Sequence, residues 1–202
     1  MIRSILATAA AAVALSGCAL LSSPDPVQLY RFGDAGAPTN TAVAAEPVQV
    51  KLRAVTFPQA SRGDRLLGVT GSEAAYIAGA RWVSPAEQLY DASLEAAFSA
   101  QAQGIRLIGR RELTPTTRLL DIDINRFETR YAAAGAIPEV VVTARARLLR
   151  SPERTVVAER TFEVIQPASE NRVATIVEAY EIATRDLNTQ IVAWTEANAA
   201  GG

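Results

Sequence analysis

The stretch EVVVTARARLLRSPERTVVAERTFEVI, residues 139–165, alternates apolar and polar side chains along two arms that are separated by one short break. Alternation of this kind predicts two β-strands, and the break at Ser151-Pro152-Glu153-Arg154 predicts the turn of an antiparallel hairpin. The side chains predicted to point inward are Val140, Val142, Ala144, Ala146 and Leu148 on the first arm and Val156, Ala158, Phe162 and Val164 on the second. An apolar face of this kind is available for helices to cover.

Similar patterns predict further strands before the hairpin, at residues 27–32, 48–55, 66–70, 74–78, 105–108 and 119–130. In the last of these, Leu120, Ile122 and Ile124 share one face, and Phe127 arrives out of register with them. An extra residue in one strand has this effect, so we expect a β-bulge near Arg126.

Two helices are predicted. The first follows Ser84-Pro85-Ala86-Glu87, in which Ser84 is the expected N-cap, and it should end near Gln103 with Gly104 as the left-handed terminal residue. Its expected inner face consists of Ala86, Tyr90, Leu94, Ala97 and Phe98. The second helix spans about residues 170–198, and its apolar stripe consists of Val173, Val177, Tyr180, Leu187, Ile191 and Trp194, with Thr184 as its one polar member.

The order of these elements is strands, a helix, more strands and a final helix. This order predicts the α+β class, as a single domain in which an antiparallel β-sheet has two helices packed on one face.

The composition excludes several classes of function. The 202 residues contain no histidine, which excludes Ser-His-Asp and Cys-His catalysis and histidine metal sites, and Lys51 is the sole lysine that a Ser-Lys arrangement could use. The net charge of -1 argues against a nucleic-acid-binding protein. We therefore expect no enzyme, no cofactor, no metal site and no nucleic-acid partner.

Two features resemble sites without completing them. Asp121, Asp123 and Asn125 match the start of a calcium loop, but Arg126 replaces the required glycine, so carboxylates on the solvent-exposed face of a strand are the favoured interpretation. Trp82 and Trp194 are candidate partner contacts, and the alternative for both is packing in the core.

The N-terminal segment carries a lipoprotein signal. Arg3 precedes an apolar run, residues 5–15, that is about half of the roughly 20 residues a membrane-spanning helix needs. Leu15, Ser16, Gly17 and Cys18 then form a lipobox, the pattern that the bacterial lipoprotein signal peptidase cleaves. Cys18 should therefore carry an S-diacylglycerol group and an N-palmitoyl chain, which together anchor stably. The alternative is an ordinary secretory signal followed by a chance cysteine.

This signal sets the expected organisation and location. Residues 1–17 are the predicted signal peptide, 18–46 the lipidated N-terminus with a short strand and flexible linker, 47–198 the domain, and 199–202 a disordered tail. Residue 19 is Ala rather than the Asp that tends to retain enterobacterial lipoproteins in the inner membrane. The expected location is the outer membrane, facing the periplasm.

The chain resembles the ABC-type transport auxiliary lipoproteins, including the PqiC-like group. The features that carry the resemblance are the lipobox, Leu29-Tyr30-Arg31-Phe32, the strand ending at Phe57-Pro58, Asp64-Arg65, Ala80-Arg81-Trp82-Val83-Ser84-Pro85, Arg126-Phe127-Glu128 and a C-terminal helix ending near Ala193-Trp194. The resemblance implies an auxiliary lipoprotein without catalytic residues. Its implied partners are an MCE-domain protein and an ABC permease and ATPase that move lipids between membranes.

The function expected from this resemblance is that of an adaptor, which docks on the MCE assembly while its lipid anchor holds it at the outer membrane. Two alternatives stay open: a lipid-binding carrier that encloses an apolar cavity, and a structural lipoprotein of another envelope assembly.

Overall fold

The structure is a computed structural model that describes residues 26–33 and 46–199. The strands within these residues are β1 (Gln28–Tyr30), β2 (Val48–Thr56), β3 (Arg65–Thr70), β4 (Glu73–Trp82), β5 (Ile105–Ile108), β6 (Arg118–Tyr131), β7 (Glu139–Arg150) and β8 (Thr155–Pro167). The helices are α1 (Ala86–Gln101) and α2 (Val173–Ala199).

The long strand β6 organises one eight-stranded sheet. One edge of β6 pairs along its length with β7, which pairs in turn with β8. Its other edge is shared, because β2 pairs with the first half of β6 and β3 pairs with its last residues, Thr129 to Tyr131. Strand β5 extends the sheet beyond β2, and β4 and then β1 extend it beyond β3.

The sheet is mixed, so the expectation of a purely antiparallel sheet is wrong, while the α+β class stands. β3–β4, β6–β7 and β7–β8 are antiparallel, whereas β1–β4, β2–β5, β2–β6 and β3–β6 are parallel. Parallel neighbours need a long crossover connection, and the chain between β2 and β5 supplies one that contains α1.

The β7–β8 hairpin forms as predicted with one exception. All five residues expected to point inward from β7 are fully buried. Val156 of β8, however, is 55% exposed. The register shifts between Leu148, which faces Ala158, and Leu149, which faces Val156. Val157 is therefore an extra residue, and it moves Val156 to the face opposite the one the alternation predicted.

The predicted bulge in β6 is confirmed, since the register with β7 shifts between Ile124 and Arg126. The shift returns Phe127 to the apolar face, where it is 2% exposed. Leu120, Ile122 and Ile124 lie buried on the same face.

The ends of α1 differ from the predicted caps. Pro85 occupies the N-cap position, and no side chain caps the helix. The backbone N–H groups of Ala86 and Glu87 instead donate to the carbonyl oxygens of Gly63 and Arg62, at 2.9 and 3.2 Å. A tertiary contact with the loop before β3 thus satisfies the free donors that a helix start leaves.

The C-terminal end of α1 is also closed by a tertiary contact. Ala102, in extended conformation, ends the helix, so the predicted left-handed role of Gly104 is wrong. The N–H groups of Gln103 and Gly104 donate to Glu196 Oε1 of α2, at 2.6 and 2.8 Å.

Helix α2 packs against β7, β8 and α1. Its buried face is wider than the predicted stripe, because Ile176, Ala179, Ala183, Asn188 and Val192 are buried as well. Val173 and Val177, at its start, are only half-buried.

An aromatic cluster fills the space between the helices and the sheet. Phe127 is central: its ring centroid lies 5.2 Å from that of Phe32, 5.4 Å from that of Phe57 and 4.8 Å from that of Tyr180. Offset and edge-to-face aromatic pairs contribute roughly 0.5–1.5 kcal/mol each beyond their burial. The cluster therefore fastens the segment after β1 to the sheet and to α2.

Gly33, at the end of that segment, lies directly against α1. Its φ is 77°, in the left-handed region, and a Cβ atom placed on it would lie 2.5 Å from Ser93 Cβ of α1. Ser93 Oγ accepts a hydrogen bond of 2.7 Å from Asn188 Nδ2 of α2. Glycine at position 33 thus permits the chain to lie directly on the junction of the two helices.

Candidate interaction surfaces

Residues 26–33 and 46–199 contain no group of three or more cysteine, aspartate or glutamate side chains placed to hold a metal ion. Neither of the described helices is both long enough and apolar enough to span a membrane.

The outer sheet face, which we define as the side of β2, β6, β7 and β8 opposite the helices, carries a network of arginines and carboxylates. Asp121 lies at its centre and is only 1% exposed. Arg53 binds it through two hydrogen bonds, one of them from Nε to Oδ1 at 2.7 Å. Arg147 Nη2 lies 3.7 Å from Asp121 Oδ2 and 2.9 Å from Asp123 Oδ2.

This arrangement corrects the expectation that the carboxylates of β6 lie on a solvent-exposed face. Asp121 is covered by the arginine side chains that pair with it, whereas Asp123 keeps 27% of its side chain exposed. The hydrogen bond to Asp121 raises the pKa of Arg53 above its ordinary value, against the opposing effect of burial.

The same pattern continues along the outer sheet face. Arg145 pairs with Glu159 at 2.7 Å, and Arg130 lies 3.3 Å from Glu128 and 3.7 Å from Glu139. Each of these four arginines has a carboxylate within 4 Å, so their charges are neutralised within the chain. Exposed pairs of this kind contribute little to stability.

A cleft of about 330 Å³ lies between α1 and β5. Glu95, Phe98, Arg106 and Glu112 are among the residues that line it. Burial raises the pKa of Glu95, repulsion from Asp91 and Glu112 adds to this, and Arg110 and Arg111 oppose it. The cleft is thus lined by acidic and basic side chains around a small apolar patch, and this lining does not suit acyl chains.

Strand β4 has an open edge. One edge pairs with β3, while the other pairs with β1 only at Ala80, Arg81 and Trp82. Among the residues that the structure describes, no strand pairs with this second edge from Glu73 to Gly79. Apart from Glu73 and Tyr76, the side chains here are small or apolar, and all residues except Ile77 are exposed. Unpaired backbone groups along such an edge are a template for another strand.

Both tryptophans lie in the core. Trp82 is 2% exposed, and its ring centroid lies 4.9 Å from that of Phe32 and 5.2 Å from that of Tyr180. Trp194 is 8% exposed and packs edge-to-face on Phe162 at 6.0 Å. A direct contact with a partner needs an exposed indole ring, so the packing alternative describes both residues.

The lipobox residues Leu15, Ser16, Gly17 and Cys18 lie outside the described residues. The described chain begins at Pro26, and β1 then runs parallel to β4 beside its last residues, Ala80 to Trp82.

Sequence reasoning missed two of these surfaces. The open edge of β4 depends on strand pairing, although the run Ala74 to Gly79, with only one aromatic and no charged residue, is a signal that could have indicated it. The burial of Asp121 depends on Arg53 and Arg147 from neighbouring strands, so no signal within β6 could have shown it.

Comparisons with known proteins agree with this fold. A family described as ABC-type transport auxiliary lipoprotein component matches residues 30–192. The search of curated protein sequences found no match. A crystal structure of a Xanthomonas campestris protein, from a family of unknown function, is similar at 28% identity and a TM-score of 0.69, and the alignment covers 85% of this chain and 96% of that one.

Two further solved structures share the fold. A crystal structure of an uncharacterized protein is 17% identical with a TM-score of 0.64, covering 84% of this chain and 98% of that chain. A hypothetical protein from Chlamydia trachomatis is 11% identical with a TM-score of 0.53, covering 78% of this chain and 100% of that chain.

Proposed function

Because this chain belongs to the ABC-type transport auxiliary lipoprotein component family, we propose that it is the non-catalytic adaptor of an MCE-associated system that moves lipids between membranes. The observation that carries the proposal is the family match over residues 30–192, which spans nearly the whole described domain. The partners we propose are the MCE-domain protein and the ABC permease and ATPase of the same system.

The lipobox supports an outer-membrane location facing the periplasm. Cys18 is the only cysteine in the sequence, and it lies at the one position that the modification requires. Acylation by two or more chains gives stable anchoring, whereas one chain binds reversibly. Ala19 supports release from the inner membrane.

The packing of the domain favours an adaptor over a lipid carrier. The space between the helices and the sheet is occupied by the aromatic cluster around Phe127, which lies against Phe32, Phe57 and Tyr180. The cleft between α1 and β5 carries charged side chains. Acyl chains need an apolar enclosure, and the core that could enclose them is filled by protein side chains.

The open edge of β4 is the docking surface that we propose. An extended segment of the partner would add a strand to it, with main-chain hydrogen bonds supplying affinity. Ala74, Ala75 and Ala78 allow close approach, and Glu73 is the only charged residue along the open part of the edge.

Crosslinking in intact cells tests the adaptor function. The expected result is capture of an MCE-domain protein by the acylated chain at its native level of expression. If the acylated, expressed protein captures no component of an ABC-type transport system, the adaptor proposal is wrong, and a structural role in another envelope assembly replaces it.

Mass spectrometry of lipids extracted from the unacylated protein separates adaptor from carrier. An adaptor should retain no stoichiometric phospholipid after purification. Stoichiometric phospholipid would instead identify a carrier and would contradict the packing argument.

A further inference from the structure

The strand directions place two loops at one end of the sheet. Thr70 of β3 lies opposite Tyr131 of β6 and opposite Glu73 of β4, so the β3–β4 turn and the β6–β7 loop are at the same end. β1 runs parallel to β4 beside Ala80 to Trp82, so Pro26, which precedes β1, lies on the side of β1 that faces this end. We call it the tether end, defined by the turn at Gly71 and Ser72 and the loop at residues 132–138.

The loop at residues 132–138 has the sequence AAAGAIP and contains no charged residue. Ile137 is 62% exposed, and Ala132 to Gly135 are exposed as well. Two backbone hydrogen bonds hold the loop in place, from Ala136 N to Ala133 O at 3.1 Å and from Ala168 N to Pro138 O at 2.9 Å. Gly135, with a φ of 79°, supplies the left-handed residue of the turn. The loop is therefore a fixed apolar projection.

The opposite end of the sheet has different chemistry. The loop that leads into the start of β6, residues 109–117, contains Arg110, Arg111 and Glu112, and the β7–β8 turn contains Glu153 and Arg154. The uncharged loop at residues 132–138 thus differs from both of these loops, and from its own neighbour at the tether end, residues 168–172, which carries Glu170 and Arg172.

The position of the anchor indicates what the apolar loop at residues 132–138 can contact. Cys18 precedes Pro26 by eight residues, a separation that can span at most about 28 Å in any conformation. Strand β6, with 14 residues, is roughly 46 Å long. An anchor at Cys18 therefore leaves the tether end within reach of the bilayer.

We propose that the loop at residues 132–138 contacts the phospholipid surface of the membrane that holds the anchor. Apolar side chains on a fixed loop enter the boundary between headgroups and acyl chains, and a loop without charges enters it with little desolvation. This inference rests on the lipid attachment proposed for Cys18.

Fluorescent labels on the full, acylated chain test the proposal. Acylation consumes the only native cysteine, so Ile137→Cys and Leu113→Cys each provide a single site for an environment-sensitive fluorophore. Leu113, 98% exposed in the charged loop at residues 109–117, is the matched control. Ala134→Cys provides a second position in the apolar loop. The protein is reconstituted into vesicles of phosphatidylethanolamine with a minority of phosphatidylglycerol, and quenching by nitroxide-labelled lipids is measured.

The expected result is several-fold quenching at positions 134 and 137, with a blue-shifted emission, and no quenching at position 113. Equal quenching at both ends, or quenching at position 113 alone, would overturn the inference. The mass of the mature chain reports acylation independently. An acylated chain without selective quenching contradicts the membrane contact alone, and a chain without acylation contradicts both the contact and the proposed anchor.

Discussion

Replacing Gly33 by alanine should destabilise the domain by about 2–5 kcal/mol, the sum of two costs. The φ of 77° is a left-handed conformation that costs a non-glycine residue roughly 1–2 kcal/mol. The added Cβ would also lie 2.5 Å from Ser93 Cβ and 3.0 Å from Ser93 Oγ, so the segment or α1 must shift. Overpacking of this kind costs typically about 1–3 kcal/mol.

Gly135→Ala is the matched control for the conformational cost. Its φ is 79°, nearly the same as that of Gly33, but an added Cβ has no neighbouring atom within 4 Å. This variant should therefore lose only about 1–2 kcal/mol of unfolding free energy. The difference between the two variants isolates the contact with Ser93.

The measurement is urea unfolding of the unacylated protein, followed by circular dichroism and tryptophan fluorescence. Trp82 and Trp194 are both buried, so their emission reports loss of the core. Introducing Gly33→Ala into a Ser93→Gly background should reduce its cost to that of Gly135→Ala, because the clashing atoms are gone. If Gly33→Ala costs no more than Gly135→Ala in the native background, the proposed close packing of this segment on α1 is wrong.

Three other predictions test the anchor, one buried hydroxyl and one perturbed carboxyl. Cys18→Ala should accumulate as an unprocessed precursor in a membrane fractionation, and normal outer-membrane localisation of this variant would contradict the lipobox. Among the described residues, nothing hydrogen-bonds the buried Oη of Tyr90, so Tyr90→Phe should keep or raise the melting temperature. A loss of about 1 kcal/mol or more of unfolding free energy would instead show that the hydroxyl has a hydrogen-bond partner. Burial raises the pKa of Glu95, so ionisation of this carboxyl in the folded state opposes folding as the pH rises above about 4. The difference in unfolding free energy between Glu95→Gln and the native protein should therefore favour the variant more at pH 7 than at pH 4. A pH-independent difference would contradict this.

The local patterns that the sequence predicts well are those fixed by neighbouring residues along the chain. The inward face of β7 and the bulge before Phe127 were both predictable, because side-chain alternation and its interruption are local properties. Membership of the family was predictable from soft motifs distributed along the chain, and the match over residues 30–192 confirms it.

The features that the sequence did not predict depend on distant parts of the chain. Alternation shows which face of a strand is apolar but not the direction of the neighbouring strand. The sequence therefore could not predict that β2 pairs with β6 in parallel. Ser84 has the chemistry of an N-cap, yet Gly63 and Arg62 accept from the start of α1 instead. The extra residue at Val157 is invisible in the sequence, since both of its neighbours suit a strand.

The candidate surfaces follow the same rule. The lipid attachment at Cys18 was predicted from a local motif and stays a prediction, because it lies outside the described residues. The sequence could not assign Trp82, which lies just before α1, or Trp194, which lies on α2, to the surface or the core. Burial depends on what packs over them. The tether end combines a local property, the uncharged loop at residues 132–138, with a strand order that only the fold provides.

Site-specific photocrosslinking in intact cells tests the proposed adaptor function most directly. A photoreactive amino acid replaces Ala78 on the open edge of β4, and a second variant carries it at Leu113, which is 98% exposed. We expect the probe at position 78 to capture an MCE-domain component of an ABC-type transport system and the probe at position 113 to capture it weakly or not at all. Capture of only a second copy of this chain at position 78, or equal capture of the component at both positions, would contradict docking through this edge. Capture of no transport component from either position, in acylated and expressed protein, would contradict the adaptor function itself.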